Sequence, residues 1–374
     1  MEVKTLSFYP GVPFNDAIES FLDAYELGED IECYQLIFCP YGRHTSFGDL
    51  YNIEFKSRVV ILNVIDFIID GLDNIATEEI KQFCEDHPEQ NFIIFNYNIG
   101  LGDKLNVPNL HWDTIFSGTL TERLTHCEKK NLTNKWLSLN ADTKLHRVMA
   151  VCYLLSKDYH ENGYITFNMN AGPLASHDSY RNFTKISSYQ LKSSFAKGYV
   201  KFKSKDFRRL KIKNFSSIED RVSTNYNNNL MPIYERIGVE IITGTMFFEN
   251  VPSLSEKEVQ SVYAKNFPIY INGIGMAREI KKLFDIDIFE DIVDHSYDEI
   301  EDHFERLAAA IDRNQHLLDG STNIHELWYD NQKRFEDNCE KMDQIIFDSK
   351  YQQSINYKKI ENALSKFGVS FSKK

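Results

Sequence analysis

Leu254-Ser255-Glu256-Lys257 and, about ten residues later, Phe267-Pro268-Ile269-Tyr270-Ile271-Asn272-Gly273-Ile274-Gly275 are the stretches that decide the fold. The first reads as the charged opening turn of a helix, the second as a buried strand running into a glycine-bearing turn. The same alternation recurs upstream. Tyr34 to Phe38, Val59 to Ile65 and Asn91 to Asn96 are apolar runs of strand length, and a polar helix is expected over Thr77 to Glu85. Trp136 to Asn140 and Tyr164 to Phe167 are two more strands, flanking a helix over Lys144 to Ser156 with Leu145, Val148, Met149, Cys152 and Leu155 at helical spacing. Apolar strands separated by helices imply an α/β fold whose parallel sheets are covered on both faces.

A chain of 374 residues is long enough for two domains of about 100 to 200 residues each. Residues 1–130 are read as an amino-terminal α/β domain, 131–325 as a second, Rossmann-like domain, and 326–374 as a helical segment packing back on the first. Two such domains imply a cleft. Hydrophobic content of 42% with only nine prolines excludes a disordered or low-complexity chain. No apolar run approaches the roughly 18 to 20 residues of a membrane span, and Met1-Glu2-Val3-Lys4 lacks the character of a signal peptide, so a cytoplasmic protein is expected. Six cysteines scattered without a C-x-x-C pair are expected to be reduced thiols. Oligomeric state is not encoded in any feature of the sequence.

The charge of −13 is unevenly spread. Residues 192–213 carry nine Lys and Arg against Asp206 alone, a local +8 that leaves −21 elsewhere. Phe195, Tyr199, Phe202, Phe207 and Phe215 are interleaved with those cations, so the 192–215 segment mixes groups suited to phosphates with groups suited to stacking on bases. A helix with a solvated basic face is the competing reading. Residues 284–305 are the opposite, with ten acids and no Lys or Arg. Asp285-Ile286-Asp287 invites a divalent-ion reading, but a pair inside a solvated acidic run without a further ligand group does not sustain it, and no metal is expected.

The site chemistry rests on two βα corners. Free N–H groups and the dipole at a helix start favour anions, Lys257 adds a full positive charge, and Glu256 is able to accept hydrogen bonds from sugar hydroxyls. Together they suit a nucleotide diphosphate and its ribose. Asn140 and Arg147 flank the other corner, Arg147 near the start of its helix where a phosphate is accommodated. Taken singly, each has an ordinary reading as a helix first turn, a surface arginine or a turn former. Their joint order is what points to a ligand. His295 and Tyr297, in Asp294-His295-Ser296-Tyr297-Asp298, are as readily a turn that closes the sheet.

Ser255-Glu256-Lys257, Phe267-Pro268-Ile269, Gly273, Leu283-Phe284, Phe289, Asp294 to Asp298 and Arg306 resemble the carboxy-terminal signature of a group of glycosyltransferase-like proteins of bacteriophage and bacterial genomes. Leu139-Asn140, His146-Arg147 and Gly163 to Phe167 resemble the motif preceding it. The likeness covers roughly Lys135 to Arg306, about half of the chain. Both motifs are also similar to a distant version of the fucosyltransferase donor site. That resemblance implies a GT-B-type architecture of two Rossmann-like domains, Arg147 and Lys257 on the diphosphate, Glu256 on the ribose, and Asn140 and Gly273 beside the donor. Gly244 stands where these families usually place a glutamate.

The resemblance further implies a metal-independent hexosyl- or pentosyltransferase using a UDP- or GDP-sugar as co-substrate and no other cofactor. Its acceptor base would come from the first domain: Asp66 foremost, then Asp70, Asp103, His44 or His111. Phage enzymes of this broad type glycosylate hydroxymethylated bases in DNA, so the basic segment, with Lys201, Lys203, Arg208 and Arg209, suggests double-stranded DNA as acceptor and the host cytoplasm as location. A surface glycan, a lipid-linked sugar or a protein is the alternative acceptor. A non-catalytic nucleotide- or sugar-binding protein is the alternative class.

Overall fold

The computed structural model describes residues 3–6, 21–37, 51–65, 75–96, 108–111, 124–140, 145–167, 186, 188–203, 226–244, 247, 252 and 254–374. The chain forms two compact units, one of residues 1–118, 251–254 and 344–374, the other of residues 119–250 and 255–343. Both are α/β with parallel sheets.

In the first unit β1 (Val3–Leu6), β3 (Ile31–Ile37), β4 (Val59–Ile65), β5 (Asn91–Asn96) and β6 (Asn109–His111) form a five-stranded sheet in the order β1-β3-β4-β5-β6, every pair parallel. Helix α1 (Ile75–Asp86) links β4 to β5. Short β2 (Tyr25–Leu27) pairs antiparallel with the terminal strand Phe371–Lys373. The helix Ser349–Lys366 contributes Ile360, Ala363 and Leu364 to a core shared with Phe21, Ile61 and Ile93. Burying those side chains is what holds the carboxyl-terminal helix to the first sheet.

The second unit has a four-stranded sheet in the order β10-β9-β7-β8, from β7 (Trp136–Asn140), β8 (Gly163–Phe167), β9 (Val239–Thr243) and β10 (Phe267–Ile271), again wholly parallel. Every residue of β9 and β10 is buried, as expected where helices cover both faces. Helix α2 (Leu145–Ser156) joins β7 to β8 and is buried on all sides from His146 onward. Helix α3 (Tyr189–Lys203) lies on it so closely that a Cβ at Gly198 would stand 1.6 Å from the Cys152 carbonyl oxygen. Helix α4 (Glu256–Tyr263) joins β9 to β10, and α5 (Met276–Phe284) and α6 (His303–Arg313) follow.

Tyr297 and His295 have structural roles. β10 ends the described sheet, and the Tyr297 hydroxyl accepts the Tyr270 N–H at 2.8 Å, satisfying a backbone donor. His295 Nε2 bonds the Ile288 carbonyl at 2.9 Å. Asp287 of the acidic run is gripped by Arg334, Nε to Oδ2 at 2.6 Å and Nη2 to Oδ1 at 3.0 Å, while the Asp285 side chain is 95% exposed. Among the described residues no group of three or more His, Cys, Asp or Glu side chains is arranged to hold a metal, and Cys33, Cys84, Cys127, Cys152 and Cys339 form no disulfide. No described helix is long and apolar enough to cross a membrane.

Candidate functional site

β7 and β9 are neighbours in the sheet, yet the chain leaves them in opposite directions. β7 continues through α2 to β8 on one side, and β9 through α4 to β10 on the other. Where connections part in this way a crevice forms beyond the carboxyl ends of the strands, and open α/β sheets bind ligands there. The two corners singled out in the sequence are the two sides of this switch point.

Arg147 is 2% exposed and donates from Nη2 to the carbonyl oxygen of Gly244, the residue following β9, at 3.3 Å. His146 Nε2 donates to the same oxygen at 2.9 Å, which sets its tautomer, and the ring stacks on Phe247 at 5.5 Å between centroids. Both side chains therefore cross from the β7 corner to the β9 corner. On that second side the side chains of Glu256 and Lys257 pair at 2.9 Å and remain partly open, 38% and 17% exposed. Successive helical residues point about 100° apart, so an ion pair between neighbours requires both to bend to one side. Burial drives the Glu256 carboxyl up, but Lys257, the backbone amide at the helix start and the field of Arg147 outweigh it, leaving the group below the ordinary glutamate value. The Arg147 guanidinium thus acts on Glu256 from the opposite corner.

Beneath this surface lies a layer absent from the sequence-based expectations. Ser255 and Glu258 form a capping box: Glu258 Oε2 accepts from Ser255 N at 2.8 Å and from Ser255 Oγ at 2.6 Å. Glu258 Oε1 accepts from Asn272 Nδ2 at 3.0 Å, and Asn272 Oδ1 accepts the Gly273 N–H at 2.7 Å. Burial pushes the Glu258 carboxyl above its ordinary value, opposed by Ser255 and Lys257. The S-x-x-E spacing from Ser255 to Glu258 is the signal that identifies it. Asn272 also explains Gly244, since a Cβ there would lie 2.2 Å from Asn272 Nδ2. A glutamate, the usual residue of the resembled families, has no room at this position.

Asn140 holds strands together. Its Oδ1 accepts from Thr243 Oγ1 at 2.9 Å, its Nδ2 donates to Ser138 Oγ at 3.0 Å, and it is 1% exposed. Gly273 is buried just past the end of β10, held by Asn272. The basic segment requires a correction. Phe195 and Phe202, expected to stack on bases, are buried beneath α3, Phe195 against Tyr153. Lys201, expected to contact phosphate, donates to the Leu155 carbonyl at 3.1 Å and pairs with Asp158, capping the end of α2. Lys203 stays exposed, its ammonium 5.3 Å from the Tyr199 ring centroid. His44, Asp66, Asp70, Asp103, Arg208 and Arg209 lie outside the described residues, and of His111 only the backbone, closing β6, is described.

No protein-family model matches this sequence, and no curated protein matches it. Among solved structures it has a neighbour in the accessory secretory proteins 1, 2 and 3 of Streptococcus pneumoniae, with a TM-score of 0.36 and 10% identity over 89% of this chain and 54% of that one. The chain spans about half the length of that structure.

Proposed function

We propose that the protein is a GT-B-type glycosyltransferase that moves a sugar from a nucleotide-diphosphate sugar to a hydroxyl acceptor. The observation that carries this reading is the convergence on the β7/β9 switch point of Arg147, tied across to Gly244, with the Glu256–Lys257 pair at the start of α4. In the protein alone one carboxylate lies under the influence of two cations and a helix start. A diphosphate is the natural occupant of such a place, because it satisfies both cations while releasing Glu256 to turn toward ribose hydroxyls. Charge growing on the departing diphosphate is then stabilised by Arg147, Lys257 and the amides of α4. Asn140, Glu258 and Asn272 act as positioning residues behind them.

The proton of the acceptor hydroxyl needs a base, which we assign to the first unit with Asp66 foremost and His44 and Asp103 behind it. A DNA acceptor is not carried into this proposal, because two of the five aromatic side chains expected to stack on bases, Phe195 and Phe202, are in the core.

Thermal-shift measurements against uridine, guanosine and thymidine diphosphates and their sugars test the donor site. A ligand at a hundred times its dissociation constant adds about 2.7 kcal/mol of stability. One nucleotide is expected to stand out, and Lys257→Ala and Arg147→Ala each to abolish its shift. Glu256→Gln is expected to tighten inorganic pyrophosphate while weakening the nucleoside diphosphate. Equal response to every nucleotide, or none, removes the donor pocket, and binding without release of free nucleotide to any acceptor makes the protein a binding module.

A further inference from the structure

Helix α3 has an outer face for which the donor site has no use. Its inner face, Phe195, Gly198 and Phe202, is buried on α2. On the other side Tyr189, Ser193, Ala196 and Val200 follow one another at spacings that trace a single ridge along the helix. Tyr189 is 84% and Val200 72% exposed, the most open of the large hydrophobic side chains among the described residues. Lys192 and Lys203, both exposed, lie together along one side of the ridge, and the helix contains no acid.

We propose that this face docks on an anionic lipid bilayer, with Tyr189 and Val200 entering the headgroup boundary and Lys192 and Lys203 against lipid phosphates. Two exposed hydrophobic side chains in line with Ala196 and beside lysines, on a helix without acids, give the pattern of an interfacial helix, and tyrosine favours that depth. The charge complements an anionic leaflet in a protein that is otherwise acidic. Nucleic acid is the less suitable occupant, because Val200 has nothing to gain from a phosphodiester chain and Phe195 and Phe202 face inward. A second copy of the chain is less suitable too, because in the acidic run Asp287 and Asp291 are paired with Arg334, Glu290 with Lys281 and Glu299 with Arg278. The inference is independent of the donor site.

The test is co-sedimentation of the full chain with vesicles of phosphatidylglycerol and phosphatidylcholine in equal parts, beside vesicles of phosphatidylcholine alone. The protein is expected to sediment with the anionic vesicles only, and less as salt is added. Replacing Lys192→Glu and Lys203→Glu together is expected to lower the partition coefficient by at least about twenty-five-fold, about a factor of five for each lysine lost. Val200→Ser is expected to weaken it several-fold without changing the salt dependence. These side chains are exposed, so unchanged thermal melts are the folding control. Absence of binding to anionic vesicles, equal binding to neutral ones, or wild-type binding by the double variant overturns the proposal. Retention on DNA by a protein that ignores vesicles overturns it in favour of nucleic acid.

Discussion

Gly244 shows how one residue without a side chain sets the geometry of its neighbours. Its carbonyl receives both His146 and Arg147, and its α-carbon is overlaid by the Asn272 amide. Asn272 is held against swinging away, because Glu258 and the Gly273 N–H grip its two ends. Gly244→Ala is therefore expected to destabilise the protein by about 1–3 kcal/mol in urea titration and to displace Arg147 from the switch point. Asn272→Ala removes the obstacle, so the double variant should lose less than the sum of the single ones, with a coupling of about 0.5–3 kcal/mol. Strict additivity would show that Asn272 is not what excludes a side chain at Gly244. None of this is legible in the sequence, where Gly244 stands only as a departure from a resembled pattern. The contact joins residues far apart in the chain, and no local spacing encodes it.

At the scale of elements, the strands are the most legible part. Val59–Ile65, Asn91–Asn96 and Trp136–Asn140 coincide with β4, β5 and β7, because a strand covered on both faces is mostly apolar and polar residues stand at or beside its ends. Helix α2 is legible from its spacing of apolar residues. Counting lysines and aromatics together misreads helix α3. Phe195, Gly198 and Phe202 stand three and four residues apart and form one face, whereas Lys192 and Lys203 are exposed away from it. Helical periodicity separates what composition mixes. Gly198 makes the inner face workable, and the atom it approaches is a backbone oxygen inside a buried helix, which cannot yield. Gly198→Ala should accordingly lift α3 from α2 and destabilise by about 2–4 kcal/mol, measured by denaturant melts, with increased proteolysis near Phe195. A neutral substitution would contradict the packing described for this helix pair.

Across the whole of the second unit the two ends of the sheet divide their roles. Arg147 and Glu256 lie beyond the carboxyl ends of the strands, while a buried polar network sits near the amino ends of β9 and β10. Lys129 Nζ donates to the Tyr234 carbonyl at 2.8 Å and to Asn266 Oδ1 at 2.7 Å. Asn266 Nδ2 donates to Glu240 Oε2 at 3.1 Å, and the Tyr234 hydroxyl to Glu240 Oε1 at 3.0 Å. Burial pushes the Glu240 carboxyl up to about 7 and the Lys129 amine down to about 8. Between about 4.5 and 7 the unfolded chain releases the Glu240 proton while the fold keeps it, so this group's stabilisation is full at low pH and is lost as pH rises through that window. Lys129 acts in the opposite sense, its contribution being present above about 10.5 and lost as pH falls through about 8. Other groups overlap the acid side, among them Glu258, raised by burial, and His295, lowered by burial. Asp298, raised to about 6 by burial, loses stabilisation with rising pH, whereas His303, lowered to about 4 by burial and then by Arg306, loses it with falling pH. The wild-type profile alone is therefore a sum of opposing slopes, and the difference between wild type and Glu240→Gln isolates one of them. The substituted amide would keep the shape of the side chain, accept from Asn266 and donate to the Tyr234 hydroxyl oxygen, but it would not titrate. Urea unfolding from pH 4.5 to 8 should show the variant gaining on wild type as pH rises toward about 7, and the difference should then stay constant until Lys129 begins to titrate. A difference that does not change between pH 4.5 and 7 would mean that Glu240 is charged in the fold throughout, with Lys129 as its true counter-ion rather than a neighbour bridged by Asn266.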